Sequence, residues 1–199
     1  RHPIFILEGD LIVGAHFATA LSFCLNEEES KVFREKEEAF FTSVKNMIRL
    51  GIFNCGAVQG HIIPDHPSIL QGGFAAVEEK AREIEEKSFG DQKRIFARAI
   101  QICCRAVKKF AERYARLAEE MAHQEKEPER KQELLTIAKI CRQVPYHGAR
   151  NFYEALQSIW FQHMLILMAE SYPGPGVSYG RMDQYLYPYY EKDLKEGRI

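Results

Sequence analysis

Between Asn151 and Glu170 an apolar side chain occupies almost every turn position: Leu156, Ile159, Trp160, Phe161, Leu165, Ile166, Leu167 and Met168. A surface helix keeps a polar stripe, so a helix that is apolar on nearly all sides has to be covered by other elements. It is no membrane span. Its most apolar part, residues 158–169, contains Gln162 and His163 and falls short of the roughly 20 residues a bilayer requires. Asn151 followed by Glu154 fits a capping box at its start. The segment predicts a central helix.

The rest of the chain predicts mostly helices to cover it. Residues 27 to about 50 open with acidic side chains, space out Phe33, Phe40, Phe41, Val44 and Ile48, and stop at Gly51. A helix from about Phe74 ends at Lys87, before Gly90. The longest, from a cap at Asp91 to about His123, repeats Phe96, Ile100, Cys103, Val107, Phe110, Tyr114, Leu117 and Met121 three or four apart. Glu127-Pro128 starts another that ends at Arg142. A short helix over residues 181–187 and a second after Pro188 finish the chain. Only residues 4–7 and 11–13, around Glu8-Gly-Asp10, read as strands. The fold class is mainly α with a few short strands.

Charge and cysteine usage narrow the function. With 27 basic against 28 acidic side chains the net charge is −1, which argues against recruitment by nucleic acid or an anionic membrane. The 199 residues suffice for one domain or a large piece of one. The start at Arg1 in an apolar run, and the end at Ile199 just past a helix stop, suggest a piece of something longer. Five irregularly spaced cysteines, without a signal-like N-terminus, read as reduced thiols in the cytoplasm. Cys103 and Cys104 point about 100° apart on a helix and share a metal poorly. Cys103 sits on the apolar stripe and reads as a small buried hydrophobe. There is no Cys-x-x-Cys, no dinucleotide or Walker sequence, and His61 and His66 lack zinc-site spacing. The basic residues Arg105, Lys108, Lys109, Arg113 and Arg116 alternate with Glu and Ala as on a solvated helix face. No metal site and no catalytic residue is assigned.

Two loops remain. Residues 52–68 hold Gln59-Gly-His-Ile-Ile-Pro-Asp-His-Pro67, an imidazole set between a glycine and a rigid Pro-Asp turn. His61 is either a functional group or a structural donor that pins its own loop. Residues 171–179 contain Gly174-Pro-Gly176 and lead into Gly180-Arg-Met-Asp-Gln-Tyr-Leu-Tyr-Pro188. Arg181 and Asp183, flanked by apolar and aromatic residues, predict a buried, hydrogen-bonded polar cluster.

Gly180-Arg-Met-Asp-Gln-Tyr-Leu-Tyr-Pro-Tyr-Tyr190, followed by Asp193-Leu194 and Gly197, resembles the glycyl radical enzymes of the pyruvate formate-lyase type. So do Asn151-Phe-Tyr-Glu-Ala-Leu-Gln157, Ile140-Cys-Arg-Gln-Val-Pro145, Gly60-His-Ile-Ile-Pro-Asp65 and Asp10-Leu-Ile-Val-Gly14, in the family's order. The resemblance implies that residues 1–199 are part of a single, much longer domain, a ten-stranded α/β barrel wrapped in helices. It further implies a homodimer and anaerobic chemistry. A glycyl radical is installed by a separate S-adenosylmethionine-dependent activating enzyme and passed to a cysteine, whose thiyl attacks the substrate in a dry cavity.

Neither radical motif is present. The residues two beyond Cys24, Cys55, Cys103, Cys104 and Cys141 are Asn26, Ala57, Arg105, Ala106 and Gln143, not the glutamate of the dehydratase-like members, and no Gly-Tyr pair occurs. The chain is therefore similar to the N-terminal part of such an enzyme, without its catalytic cysteine loop or glycyl radical domain. It should bind no cofactor of its own and have no activity alone. The resemblance puts His61 and, eight residues earlier, Phe53 on a small-molecule substrate, with Pro175, Gly176 and Ser178 from the second loop. His61 argues against the choline-cleaving members, which have aspartate there. Pro175-Gly176 departs from the His-Ser pair of glycerol-dehydratase-like members. The implied reaction is radical C–O or related C–X cleavage of a small polar substrate. The alternatives are C–C cleavage of the formate acetyltransferase or arylacetate decarboxylase kind, or a catalytically silent helical module acting through protein contacts.

Overall fold

The computed structural model describes residues 3–14, 26–51, 62–88, 90–170 and 176–199. Six helices follow one another there: α1 (Glu27–Arg49), α2 (His66–Lys87), α3 (Asp91–Gln124), α4 (Pro128–Gln143), α5 (Phe152–Glu170) and α6 (Met182–Lys195). No strand forms among the described residues. Their β pairing is one isolated parallel bridge, Ile62 with Val177. The chain divides into two compact units, one of Arg1–Pro3, His16–Ile62 and Ile166–Val177, the other of Ile4–Ala15, Ile63–Leu165 and Ser178–Ile199.

The first unit contains α1 and that bridge. Asn26 and Glu29 form a reciprocal capping box, each side chain accepting the other's backbone N–H at 2.9 Å. Helix α1 leaves Val32, Phe33, Phe40 and Phe41 exposed.

In the second unit α3 packs against both α2 and α4. The periodicity put Phe96 and Cys103 on its buried face, and the structure exposes both. Phe110 and Tyr114 of the expected stripe are buried, together with Ala97, Gln101, Cys104, Ala111, Ala115, Ala118 and Ala122. Small residues thus make up much of the covered face beside these two rings. Phe161 of α5 closes an aromatic cluster with Phe110 and Tyr114, at ring separations of 5.8 and 5.4 Å. Farther along, Ala155 and Ile159 of α5 pack with Leu70 of α2 and Leu186 of α6.

Two boundaries depart from expectation. Helix α2 begins at His66, eight residues before Phe74, because Asp65 caps it and Pro67 fits its first turn. The expected start marks a kink: Gly73 sits at φ 68°, and the N–H groups of Phe74 and Ala75 turn to the carbonyls of Pro145 and Tyr146 at 3.1 and 2.8 Å. Helix α6 runs through Pro188 without a break.

Residues 4–14 form an irregular strap, with a turn at residues 8–9 and a bend at 11–12, and no partner strand among the described residues. Side chains of α4 and α5 satisfy its backbone. Gln157 accepts from Val13 N–H and donates to Val13 C=O, both at 2.7 Å. Trp160 donates to Gly14 C=O at 3.1 Å, Tyr153 donates to Leu11 C=O, and Arg130 donates to the carbonyls of Asp10 and Leu7 at 2.9 and 3.1 Å.

Burial also sets the thiols apart. It pushes Cys141 up to about 12, and burial together with the nearby Glu78 charge pushes Cys104 up to about 11, from an ordinary 9.0. Alkylation at pH 8 should therefore spare Cys104 and Cys141 in the folded chain while exposed Cys103 reacts. Both thiols favour the protonated folded state. Their contribution to stability is complete below the ordinary 9.0 and disappears as pH climbs through 11 to 12, which alkaline melting curves will register.

Candidate functional site

Asp65 ends the first loop. Its carboxylate accepts the Ser68 N–H at 3.2 Å and the Ser68 hydroxyl at 2.6 Å, and these bonds hold it below the usual carboxylate range. The cap fixes the first turn of α2 and sends His66 into the interior, where it is 0% exposed. Its Nδ1 lies 2.9 Å from Gln162 Oε1, and Gln162 donates to the Ser158 hydroxyl at 3.2 Å. Ser158 and Gln162 are also buried, one turn apart on α5.

The end of the second loop lies over this relay. The Tyr179 ring is stacked on His163 at 4.4 Å and faces His66 at 6.1 Å, with 27° between the planes in each case. Tyr185, one turn into α6, donates its hydroxyl to the Tyr179 carbonyl at 2.7 Å. Gly180, at φ 65°, makes the left-handed turn into α6 and lies against Ile63, where a β-carbon would be 2.8 Å from the Ile63 Cγ2 methyl. The C-terminal ends of the two loops thus run together: Ile62 beside Val177 in the first unit, Ile63 beside Gly180 in the second. Burial pushes the Tyr179 and Tyr185 phenols upward, so both stay protonated donors at neutral pH.

Of the residues singled out in the sequence, Phe53, His61 and Pro175 lie outside the described residues. Gly176 is exposed. Ser178 accepts the Gly180 N–H at 3.2 Å. Arg181 and Asp183 do pair, at 3.0 and 2.8 Å, but their side chains are 70% and 66% exposed instead of buried. Aromatic neighbours in sequence pointed inward, whereas the first turn of α6 turns this pair to solvent, where it is worth little. Buried polar groups near these loops are His66, Gln162 and Ser158 instead. A serine and a glutamine four apart on an otherwise apolar helix were the available signal.

A groove of about 680 Å³ in the second unit, bounded by Ile12, Thr136, Ile140, Phe152 and Ile199, is a poor candidate. Four of its five charged side chains are spent on each other, Arg150 with Glu154 and Arg198 with Asp193. Among the described residues no cluster of three or more His, Cys, Asp or Glu could hold a metal, and no helix is long and apolar enough to cross a membrane.

Comparison with known proteins agrees with this architecture. The family model "Pyruvate formate lyase-like" matches residues 18–199. The isethionate sulfite-lyase of Oleidesulfovibrio alaskensis is 46% identical over 143 residues, 69% of this chain and 17% of the relative. The (2S)-3-sulfopropanediol dehydratase of Klebsiella oxytoca is 38% identical over 146 residues, 70% of this chain and 17% of the relative. The crystal structure of a glycyl radical enzyme from Archaeoglobus fulgidus superposes with a TM-score of 0.75 at 30% identity, over 99% of this chain and 31% of that one. The chain belongs to the pyruvate formate-lyase-like family of glycyl radical enzymes, and it spans 17% of the length of these curated relatives.

Proposed function

We propose that this chain is a stretch of a glycyl radical lyase that eliminates water or a related leaving group from a small polar substrate. The observation that carries the reading is the family match over residues 18–199, with relatives whose names describe a sulfite-lyase and a dehydratase. In this reading the stretch contributes to a ten-stranded α/β barrel in a cytoplasmic homodimer. A separate S-adenosylmethionine-dependent activating enzyme supplies the radical. The radical glycine and the catalytic cysteine come from other parts of the enzyme, so the stretch alone has no turnover and binds no cofactor.

Its own part is substrate binding. His61, Phe53, Pro175, Gly176 and Ser178 are proposed as the substrate contacts, and the adjacent course of the two loop ends supports drawing them from both loops. An imidazole at His61 can accept from a substrate hydroxyl or donate to an anionic oxygen, orienting the carbon from which the thiyl takes hydrogen.

The test is His61→Ala in the intact enzyme, compared at equal glycyl radical content by electron paramagnetic resonance. Turnover should fall at least about tenfold, the cost of roughly one orienting hydrogen bond in the transition state. Unchanged steady-state kinetics would mean that His61 only pins its own loop.

A further inference from the structure

The His66 ring is completely buried, yet its Nε2 takes no hydrogen bond from any described residue. Its other nitrogen is engaged by Gln162, and Gln162 in turn by Ser158. A buried N–H without an acceptor is rarer and costlier than a lone pair without a donor. The arrangement therefore selects the tautomer with hydrogen on Nδ1, donating to Gln162 Oε1, and leaves a bare lone pair on Nε2.

The cost of holding an imidazole this way needs a return, and the ring's neighbours indicate one. His66 faces two tyrosines, Tyr179 at 6.1 Å and Tyr185 at 6.0 Å. Tyr179 is the only aromatic residue between Ser178 and Gly180, and it is held at three points. His66 and His163 take its ring, and Tyr185 takes its carbonyl. Each holder belongs to a helix of the second unit: α2, α5 and α6.

We propose that His66 is a positioning residue for the second loop, holding Tyr179 and with it Ser178 in place, while Gln162 fixes the imidazole in its Nδ1–H form. His66 touches no substrate in this scheme. The proposal rests on the functional reading above only for what Ser178 is for; the clasp stands on geometry.

The experiment uses the intact enzyme and reads no activity, so its failure is separable from failure of the His61 test. Long-range ¹⁵N correlation of the imidazoles should show His66 protonated at Nδ1, and Gln162→Leu should abolish that signature. Exchange of the Gly180 amide, which bonds to Ser178 Oγ at 3.2 Å, reports the loop directly. In His66→Ala the Gly180 amide should exchange at least tenfold faster. His66→Phe, which restores a ring without the bond to Gln162, should recover most of the protection. Three results would overturn the proposal: a wild-type His66 protonated at Nε2, unchanged Gly180 exchange in His66→Ala, or an equal rise at amides throughout α3 and α4. The last would mark a general loss of stability, and Gln162→Leu keeps the question decidable if His66→Ala fails to fold.

Discussion

Replacing Gly148 by alanine should cost about 3 kcal/mol or more of stability, at the upper end of what overpacking normally does. A β-carbon there would lie 2.1 Å from the Gln71 carbonyl oxygen and 2.8 Å from its carbon, and both are backbone atoms that no rotamer change can move. The contact is tight because Ala149 N–H donates to the Leu70 carbonyl at 2.7 Å, drawing the loop onto the end of the first half of α2. From the other side, Gly73 meets the same loop. A β-carbon on it would fall 2.3 Å from the Tyr146 oxygen, at a φ of 68° that already disfavours any side chain. Glycines on both sides thus let two backbones touch where α2 kinks. Gly90→Ala is the control, since nothing lies within 4 Å of its β-position. Urea unfolding with unchanged m-value should show a much lower midpoint for Gly148→Ala and a midpoint near wild type for Gly90→Ala. Equal midpoints for the two would reject this account of the clip.

Gln157→Leu should be nearly as damaging, although it replaces a buried polar side chain by an apolar one of similar size. Its amide serves as the missing strand partner of Val13, taking the N–H and supplying a donor to the C=O at 2.7 Å each. Val13 is 0% exposed, so neither group can turn to water when the amide is lost. Each buried backbone group left unpaired costs about 1–3 kcal/mol, and here there are two. The chain has a way out, which is to release the strap. Faster exchange at the Val13 amide and proteolysis within residues 4–14 are therefore expected before global unfolding. Tyr153→Phe, which loses only the bond to Leu11 C=O, should shift stability by about 1 kcal/mol at most. A strap in Gln157→Leu as protected as in wild type would show that apolar packing alone holds it.

The strap shows why part of the fold was hidden. Residues 4–7 and 11–13 have the composition of strands, yet neither forms one. A strand also needs a partner ladder, which lies in no local pattern. Here the partners are side chains 120 to 146 residues away. The same limit applies to α3. Its three-to-four period was legible and Phe110 and Tyr114 are buried as it predicted, but which other positions are covered depends on where α2 and α4 pack against it, and that leaves Phe96 exposed. In the site, the loops stood out by glycine, proline and histidine content. The relay of His66, Gln162 and Ser158 did not, because a lone imidazole and an amide acquire a role only when α2 and α5 meet.

The helices themselves, from the acidic start of α1 to the Pro128 that opens α4 and the Asn151–Glu154 start of α5, were written in local chemistry. There, backbone propensity, capping groups and apolar period act over a few residues and agree. Membership in the glycyl radical family was equally legible, since ordered blocks of residues are a property of the chain and not of its folding. Tertiary structure alone decided the rest: that Arg181 and Asp183 face water, that Cys104 and not Cys103 is buried, and that Tyr179 is clasped by two histidines. Each of these depends on which surfaces lose contact with water, and burial is a sum over contacts between residues far apart in sequence.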